Sequence, residues 1–307
     1  MDKKTIFQAG LSVAALTLAA LSITSGYISS VVSWMAIATL LASSLRFVTL
    51  IGELNFATAA FVGLGAYGAG VMLTIFEWPF IACLLFSGVV AAVVGFGFGY
   101  VTLKTKGPYF LLIGFAFTEV VRLVYTKIDI IGSNSGMVGI FPPSYLEPYY
   151  SSFAIAVSGL LIIALYVIEK SHLGKAFTGI RDNDQVVLAV GINVHLTKVI
   201  CLTIGAFTSG IAGGLTAFVN NVISPGDFSY LLSTFALAYL KVGGEERPMG
   251  PILGAVLLVF LSSISLLFGG ADHIFYGTAI IVSVLILPKG LIGLIEQIQL
   301  RFKRDHN

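Results

Sequence analysis

Glu119 and Arg122 stand inside an otherwise apolar segment of this chain. Three residues apart on a helix, they share one face and can pair. A carboxylate and a guanidinium at membrane depth are suited to touching a zwitterionic solute, and intramembrane charge is a usual pointer to function. The same two groups can equally form a structural ion pair, or snorkel to the membrane interface. Glu53, directly after Gly52 at the inner end of a span, is a further candidate. Asn55, Thr58, Asn134 and Asn220 have the polarity to line a path, although no spacing rule singles them out.

A second kind of chemistry is suggested by a hydrophilic break at 169–198, EKSHLGKAFTGIRDNDQVVLAVGINVHLTK. A bare turn needs far fewer residues. Asp182 is placed to N-cap a short helix, with Gln185 three residues later completing a capping box. Gly191 suits the left-handed position just past that helix. Val186, Val187, Leu188, Ala189 and Val190 give the segment more apolar surface than a solvated turn should show, and Lys175 and Arg181 flank it. The pattern fits docking to a cytoplasmic partner; it also fits a helix lying on lipid or packed on its own bundle.

Other chemistries lack their residues. There is no G-x-x-x-x-G-K-[ST] phosphate loop, so ATP hydrolysis is not expected of this chain itself, and no H-E-x-x-H. His172, His195, His273 and His306 fall in loops or the tail. Cys83 and Cys201 lie within apolar runs and make neither a disulfide framework nor a metal site. No catalytic residue, cofactor or metal is expected.

The elements that must position these residues follow from composition. Hydrophobic residues make up 57% and charged residues 10% of 307, with a mean hydropathy of +0.97. Soluble domains carry about 25% charged residues, so an all-α, polytopic transmembrane bundle is predicted, with lipid around it. A formal charge of +2 gives no reason to expect a nucleic-acid partner. A span needs about 20 apolar residues. Candidates lie near 6–25, 31–51, 57–76, 80–103, 108–127, 151–168, 198–220, 229–242, 251–269 and 274–287. The eighth and tenth are short enough to be broken or re-entrant, so the expectation is 8–10 spans in one transmembrane unit covering 1–307.

Basic residues cluster at 3–4, 104–106, 170–198, 241–247 and 289–304, with Arg46 near the inner end of its span. The positive-inside rule then places both termini, and the 169–198 break, in the cytoplasm. The opposite face receives a loop near 129–150, DIIGSNSGMVGIFPPSYLEPYY, whose glycines and aromatics suit a landing site for an external protein, a lid, or an ordinary aromatic belt. Glycines crowd the spans at 63, 65, 68 and 70, and at 95, 97 and 99. The steps Gly205–Ser209–Gly213 and Gly210–Gly214 read as close-packing ladders. At the far end, Leu291, Leu294, Ile295, Ile298 and Phe302 share a helical face suited to an interfacial helix.

Several blocks, in order over most of the chain, resemble one family. NFATAAFVGLGAY at 55–67 resembles S-[LF]-G-H-A-A-F-F-G-I-G-A-Y. GPYF at 107–110 followed by EVVRL at 119–123 resembles G-x-Y-F…E-[IV]-x-R-L. GKAF at 174–177, IRDND at 180–184 and GINV at 191–194 follow G-[RK]-A-[FL]-x-A-I-R-[DE]-[ND]-x and G-I-N-V. ISP at 223–225, GG at 243–244, GP at 250–251 and LGA at 253–255 complete the set. The chain is thereby similar to LivM-type permease subunits of branched-chain amino acid ABC transporters.

The resemblance implies a helical subunit of the bacterial inner membrane that pairs with a second, homologous permease. It also implies two cytoplasmic ATPase subunits and a periplasmic substrate-binding protein. By position, Lys175, Arg181, Asp182, Asn183, Asp184, Ala189 and Gly191 would form the ATPase-coupling element. Glu119, Arg122, Asn55 and Thr58 stay candidates for the pathway or an ion pair. The sequence departs from the pattern at Thr58, where the family has His, and at Leu232, where it has an acid; Val186-Val187 and Glu245-Glu246-Arg247 also differ. Substrate is therefore open among branched-chain amino acids, urea, short amides and aromatic acids. The alternative reading is a stand-alone secondary transporter or channel, with Glu119 and Glu53 as proton or ion sites.

Overall fold

A computed structural model describes residues 26–265 without interruption, together with 12–18, 20, 277–278, 281 and 290–293. The described chain is a helical bundle: α1 (Gly26–Thr49), α2 (Thr58–Thr74), α3 (Phe80–Thr102), α4 (Pro108–Tyr125), α5 (Tyr150–Lys170), α6 (His172–Ala189), α7 (Val194–Asn220), α8 (Tyr230–Gly243) and α9 (Gly250–Ser265). Five helices are long and apolar enough to cross a membrane, and three shorter apolar ones lie at 58–74, 230–243 and 249–264. These eight helices fall on eight of the ten expected segments, and five of them reach spanning length. The expected first and last spans, 6–25 and 274–287, and the C-terminal interfacial helix fall largely outside the described residues.

Local chemistry sets the ends. Pro108 opens α4 at a position where its missing N–H costs nothing. Asn193 caps α7, its Oδ1 accepting from the Leu196 N–H at 3.0 Å, and Asn221 ends that helix in the left-handed region. The centre of the bundle is α7, which packs against α3, α2 and α1. Small residues line these contacts: a methyl on Gly65 would lie 2.1 Å from the Gly210 carbonyl oxygen, and one on Gly213 would lie 1.9 Å from that of Val62.

Two of the three shorter helices follow chain that enters the bundle without α-helical structure. The segment at 50–57 precedes α2, and the one at 221–229 precedes α8. In a membrane, backbone of this kind survives only where protein satisfies its polar groups. Here side chains do so. The Phe56 carbonyl accepts from Thr118 Oγ1 (2.9 Å) and Ser233 Oγ (2.8 Å), and the Ala59 N–H donates to Ser233 Oγ (3.0 Å). Thr118 lies about 15 Å along α4 from Pro108 at 1.5 Å per residue, which places Phe56 well inside the bundle. The eighth segment, expected to be short, is the 14-residue α8.

On the face away from α6, the loop at 129–150 folds into short 3₁₀ turns and a two-residue strand, β1 (Met137–Val138). It pairs antiparallel with β2 (Val222–Ile223) just after α7. This ties the glycine-rich loop to the central helix.

Candidate functional site

A cavity of about 580 Å³ opens between α1, α7, α8 and α9. Its wall is largely apolar, with Tyr27, Trp34, Phe228, Phe235 and Tyr239 among aliphatic side chains, and its polar groups come from Thr216, Asn220, Asp227 and three serines. The Tyr27 hydroxyl donates to the Ser263 carbonyl at 3.2 Å, joining α1 to α9 at one side of the space. An apolar wall with a few polar groups set into it suits a small amphipathic solute. Leu232 stands in this wall where the resemblance has an acid, which leaves Asp227 as the carboxylate among the described lining residues.

Of the four polar residues with the polarity to line a path, Asn220 reaches this cavity. Asn55 and Thr58 are buried and serve the backbone: Asn55 Oδ1 accepts from the Ala57 N–H (3.0 Å), and Thr58 Oγ1 donates to the Asn55 carbonyl (2.8 Å). Together they shape the entry into α2. Asn134 lies in the loop on the face away from α6.

Glu119 and Arg122 pair as their spacing predicts, Nε to Oε2 at 2.7 Å, in a partly exposed position. Glu119 does more than pair. Its other oxygen accepts from the Tyr230 N–H at 3.3 Å, setting a carboxylate at the start of α8, where the helix dipole favours negative charge.

Glu53 forms a contact not foreseen from spacing. Its Oε1 lies 3.1 Å from Lys198 Nζ, with the two side chains only 4% and 6% exposed, and its Oε2 accepts from the Gly107 N–H at 2.9 Å. Lys198 was expected among the basic residues facing the cytoplasm. It is instead buried, because α7 begins four residues earlier than the break suggested and carries Lys198 onto its packed side. Arg46 and Glu169 form a second buried pair, bidentate at 2.7 and 3.0 Å. Opposite charges just inside span ends were the available signal for both pairs; nothing local to either residue says which partner it takes.

The 169–198 break resolves mainly into α6. Glu169 still belongs to α5, and α6 kinks at Asn183, whose backbone is extended (φ −161°, ψ 105°). The expected capping box at Asp182 and Gln185 is therefore not formed. The cap is Asn183, one residue on, and its Oδ1 accepts from the Gln185 N–H at 3.0 Å. Asp182 completes the preceding helical segment. Gly191 does take the left-handed conformation (φ +86°), and the N–H groups of Gly191 and Ile192 close back on the carbonyls of Leu188 (2.9 Å) and Val187 (3.3 Å).

Of the residues expected to couple to a partner, Lys175, Arg181, Asp182, Asn183, Ala189 and Gly191 are exposed on this element. Asp184 is partly exposed and pairs with Lys106 in the α3–α4 turn; that ammonium holds the Asp184 carboxyl below its usual range. Val187 packs inward with Ile180 and Val194, whereas Val186, Leu188 and Val190 point outward, Val190 being 75% exposed. Replacing Asn183 with alanine removes the cap, at an expected cost of about 1 kcal/mol to the short second segment. Amide hydrogen exchange over 184–190 should quicken while that of 172–180 is unchanged; equal protection in both segments would rule the cap out as what holds the kink.

A family model described as the permease component of branched-chain amino acid transport systems matches residues 27–287. The chain is 26% identical over 286 residues to the high-affinity branched-chain amino acid transport system permease protein LivM of Escherichia coli, covering 83% of this chain and 67% of that protein. It is 27% identical to the LivM protein of Salmonella typhimurium over the same shares. It is 22% identical to the ribose import permease protein RbsC of Haemophilus influenzae, over 83% of this chain and 82% of that one. No solved structure matches. With a helical bundle, five helices long and apolar enough to cross a membrane, and a match over most of its length, this chain belongs to the family of permease components of branched-chain amino acid transport systems.

Proposed function

We propose that this permease subunit imports branched-chain or related amino acids, driven by ATP hydrolysis in separate subunits. Two cytoplasmic ATPases dock on its coupling element and on that of a second, homologous permease, and a periplasmic binding protein delivers substrate at the face carrying the 129–150 loop. The observation that carries the reading is α6 itself. It is a kinked helix that leaves Val186, Leu188 and the following Val190 exposed, beside exposed Arg181 and Asp182. Its Phe177 packs edge-on against Phe47 at the end of α1, at 5.7 Å. Motion of a docked partner thereby has a stiff route into a helix that lines the cavity, as alternating access requires. Both termini then lie in the cytoplasm, with the subunit in the bacterial inner membrane. The carboxylates that a gradient-driven transporter would use, Glu119 and Glu53, are each engaged in an ion pair, which favours the ATP-driven reading.

Purifying the tagged chain in mild detergent is expected to recover two ATPase subunits and a second permease. A chain recovered alone, under conditions that keep other such complexes intact, would move the reading to a gradient-driven transporter. Within the complex, Arg181→Glu should cut ATP-driven uptake by about tenfold or more, the size of a typical inter-site coupling, with membrane insertion unchanged. Uptake at the unmodified rate would remove Arg181 from the coupling role.

A further inference from the structure

We propose that Arg46 is the positioning residue that carries motion of the coupling element to the α8–α9 wall of the cavity. The inference rests on the functional reading above. Arg46 lies near the cytoplasmic end of α1 and is only 5% exposed. Its two terminal nitrogens grip Glu169 at 2.7 and 3.0 Å, and its Nε donates to the backbone carbonyl of Glu245 at 3.0 Å. One planar guanidinium thus joins three elements at once.

Each partner sits at a leverage point. Glu169 is in the last turn of α5, immediately before α6. The corner there is tight: a methyl on Gly174 would lie 1.9 Å from the Glu169 carbonyl oxygen, so α6 cannot shift without moving Glu169. Glu245 is in the turn that joins α8 to α9, the two helices that contribute Leu232, Phe235, Tyr239 and Val259 to the cavity wall. Its side chain is held by Lys241 at 2.7 Å, which ties the turn to α8.

Packing offers a parallel route through α1, which lies against α5 on one side and against α8 and α9 on the other; Arg46 adds the direct polar link between the two groups. α5 and α6 pack on α1 and α7, and among the described residues no extensive helix packing joins either of them to α8 or α9. A polar cavity of about 630 Å³ separates the two groups, with Glu169 and Arg181 on one side, Lys241 and Glu245 on the other, and Arg46 bonded across it. An ammonium could keep the charge at this position, but it lacks the planar fork that satisfies a carboxylate in two places and a carbonyl in a third.

The test uses the full complex in proteoliposomes, with leucine and the binding protein outside and ATP available to the ATPases, and reads uptake per ATP hydrolysed. Arg46→Lys is expected to lower that ratio by about tenfold, within the usual range of coupling between sites, while ATP hydrolysis and complex recovery hold. A paired exchange, Arg46→Glu with Glu169→Arg, restores the ion pair but not the bond to the Glu245 carbonyl, and its ratio is expected to stay low in an assembled complex. An unchanged ratio in R46K, or full recovery in the exchange, would overturn the proposal. So would failure of both variants to assemble, since that outcome makes Arg46 a folding residue only. Absence of ATP-driven uptake by the unmodified complex is distinguishable from these, because it removes the functional reading itself.

Discussion

Replacing Glu53 with alanine is expected to be among the most damaging single changes in this protein, costing about 3–5 kcal/mol as a broken buried ion pair does. The change strands the Lys198 ammonium, 6% exposed, and leaves the Gly107 N–H without its carboxylate acceptor. Glu53 joins the turn after α1, the start of α4 and the start of α7, so the loss should spread through the whole α6-side end of the bundle. The cost comes from the uncompensated charge rather than from the value of the pair. Glu53→Gln combined with Lys198→Met should therefore recover most of the lost stability, because replacing both charges by neutral groups is often close to neutral. Thermal unfolding of the detergent-purified chain decides the matter. A shift in E53A no larger than that of a surface variant would mean that Lys198 is not buried as described, and the account of this end of the bundle would fail with it.

The second large effect concerns the crossing of α2 on α7. Gly65→Ala places a methyl 2.1 Å from the Gly210 carbonyl oxygen, and Gly213→Ala places one 1.9 Å from the Val62 carbonyl oxygen. The obstacles are backbone atoms, so no side-chain rotation relieves them; the helices must separate. Overpacking of this kind costs about 1–3 kcal/mol and sometimes more, and two rigid contacts on one crossing place these changes at or beyond the upper end. Gly97→Ala is the control. A methyl there meets nothing within 4 Å. Because alanine favours a helix over glycine by about 1 kcal/mol, that variant should be neutral or slightly more stable. Folded yield and unfolding temperature of the three variants test the contrast; a Gly65 variant as stable as the Gly97 variant would contradict the close approach.

These two results bear on what could be read before the tertiary structure was known. The glycines at 63, 65, 68 and 70, and at 95, 97 and 99, look alike in the sequence. The fold sorts them. A methyl would meet backbone at Gly65 and the Ala206 methyl, at 2.4 Å, at Gly95, while at Gly68 it would find ordinary contacts and at Gly97 open space. Close packing as a class was legible; which glycine carries it was not. The same division holds at α6. Asp182, Gln185 and Gly191 marked a short capped helix, since caps and left-handed turns are local chemistry. The cap fell one residue from the expected one because Asp182 and Asn183 are both competent, and only the path of the chain chooses between them.

By itself, the sequence determined the helical membrane class, the approximate positions of the apolar segments, the surface helix between α5 and α7, and the Glu119–Arg122 pair. Each rests on periodicity or on neighbours within about one helical turn, where the chain carries its own geometry. The tertiary structure alone decided that Glu53 meets Lys198 across 145 residues and that Arg46 meets Glu169 across 123. It likewise decided that α2 and α8 begin inside the bundle, and that Asn220 rather than Asn55 or Thr58 faces the cavity. Those outcomes depend on which helix faces pack together, and a charge or an amide near the end of an apolar segment carries no record of the partner that packing will bring to it.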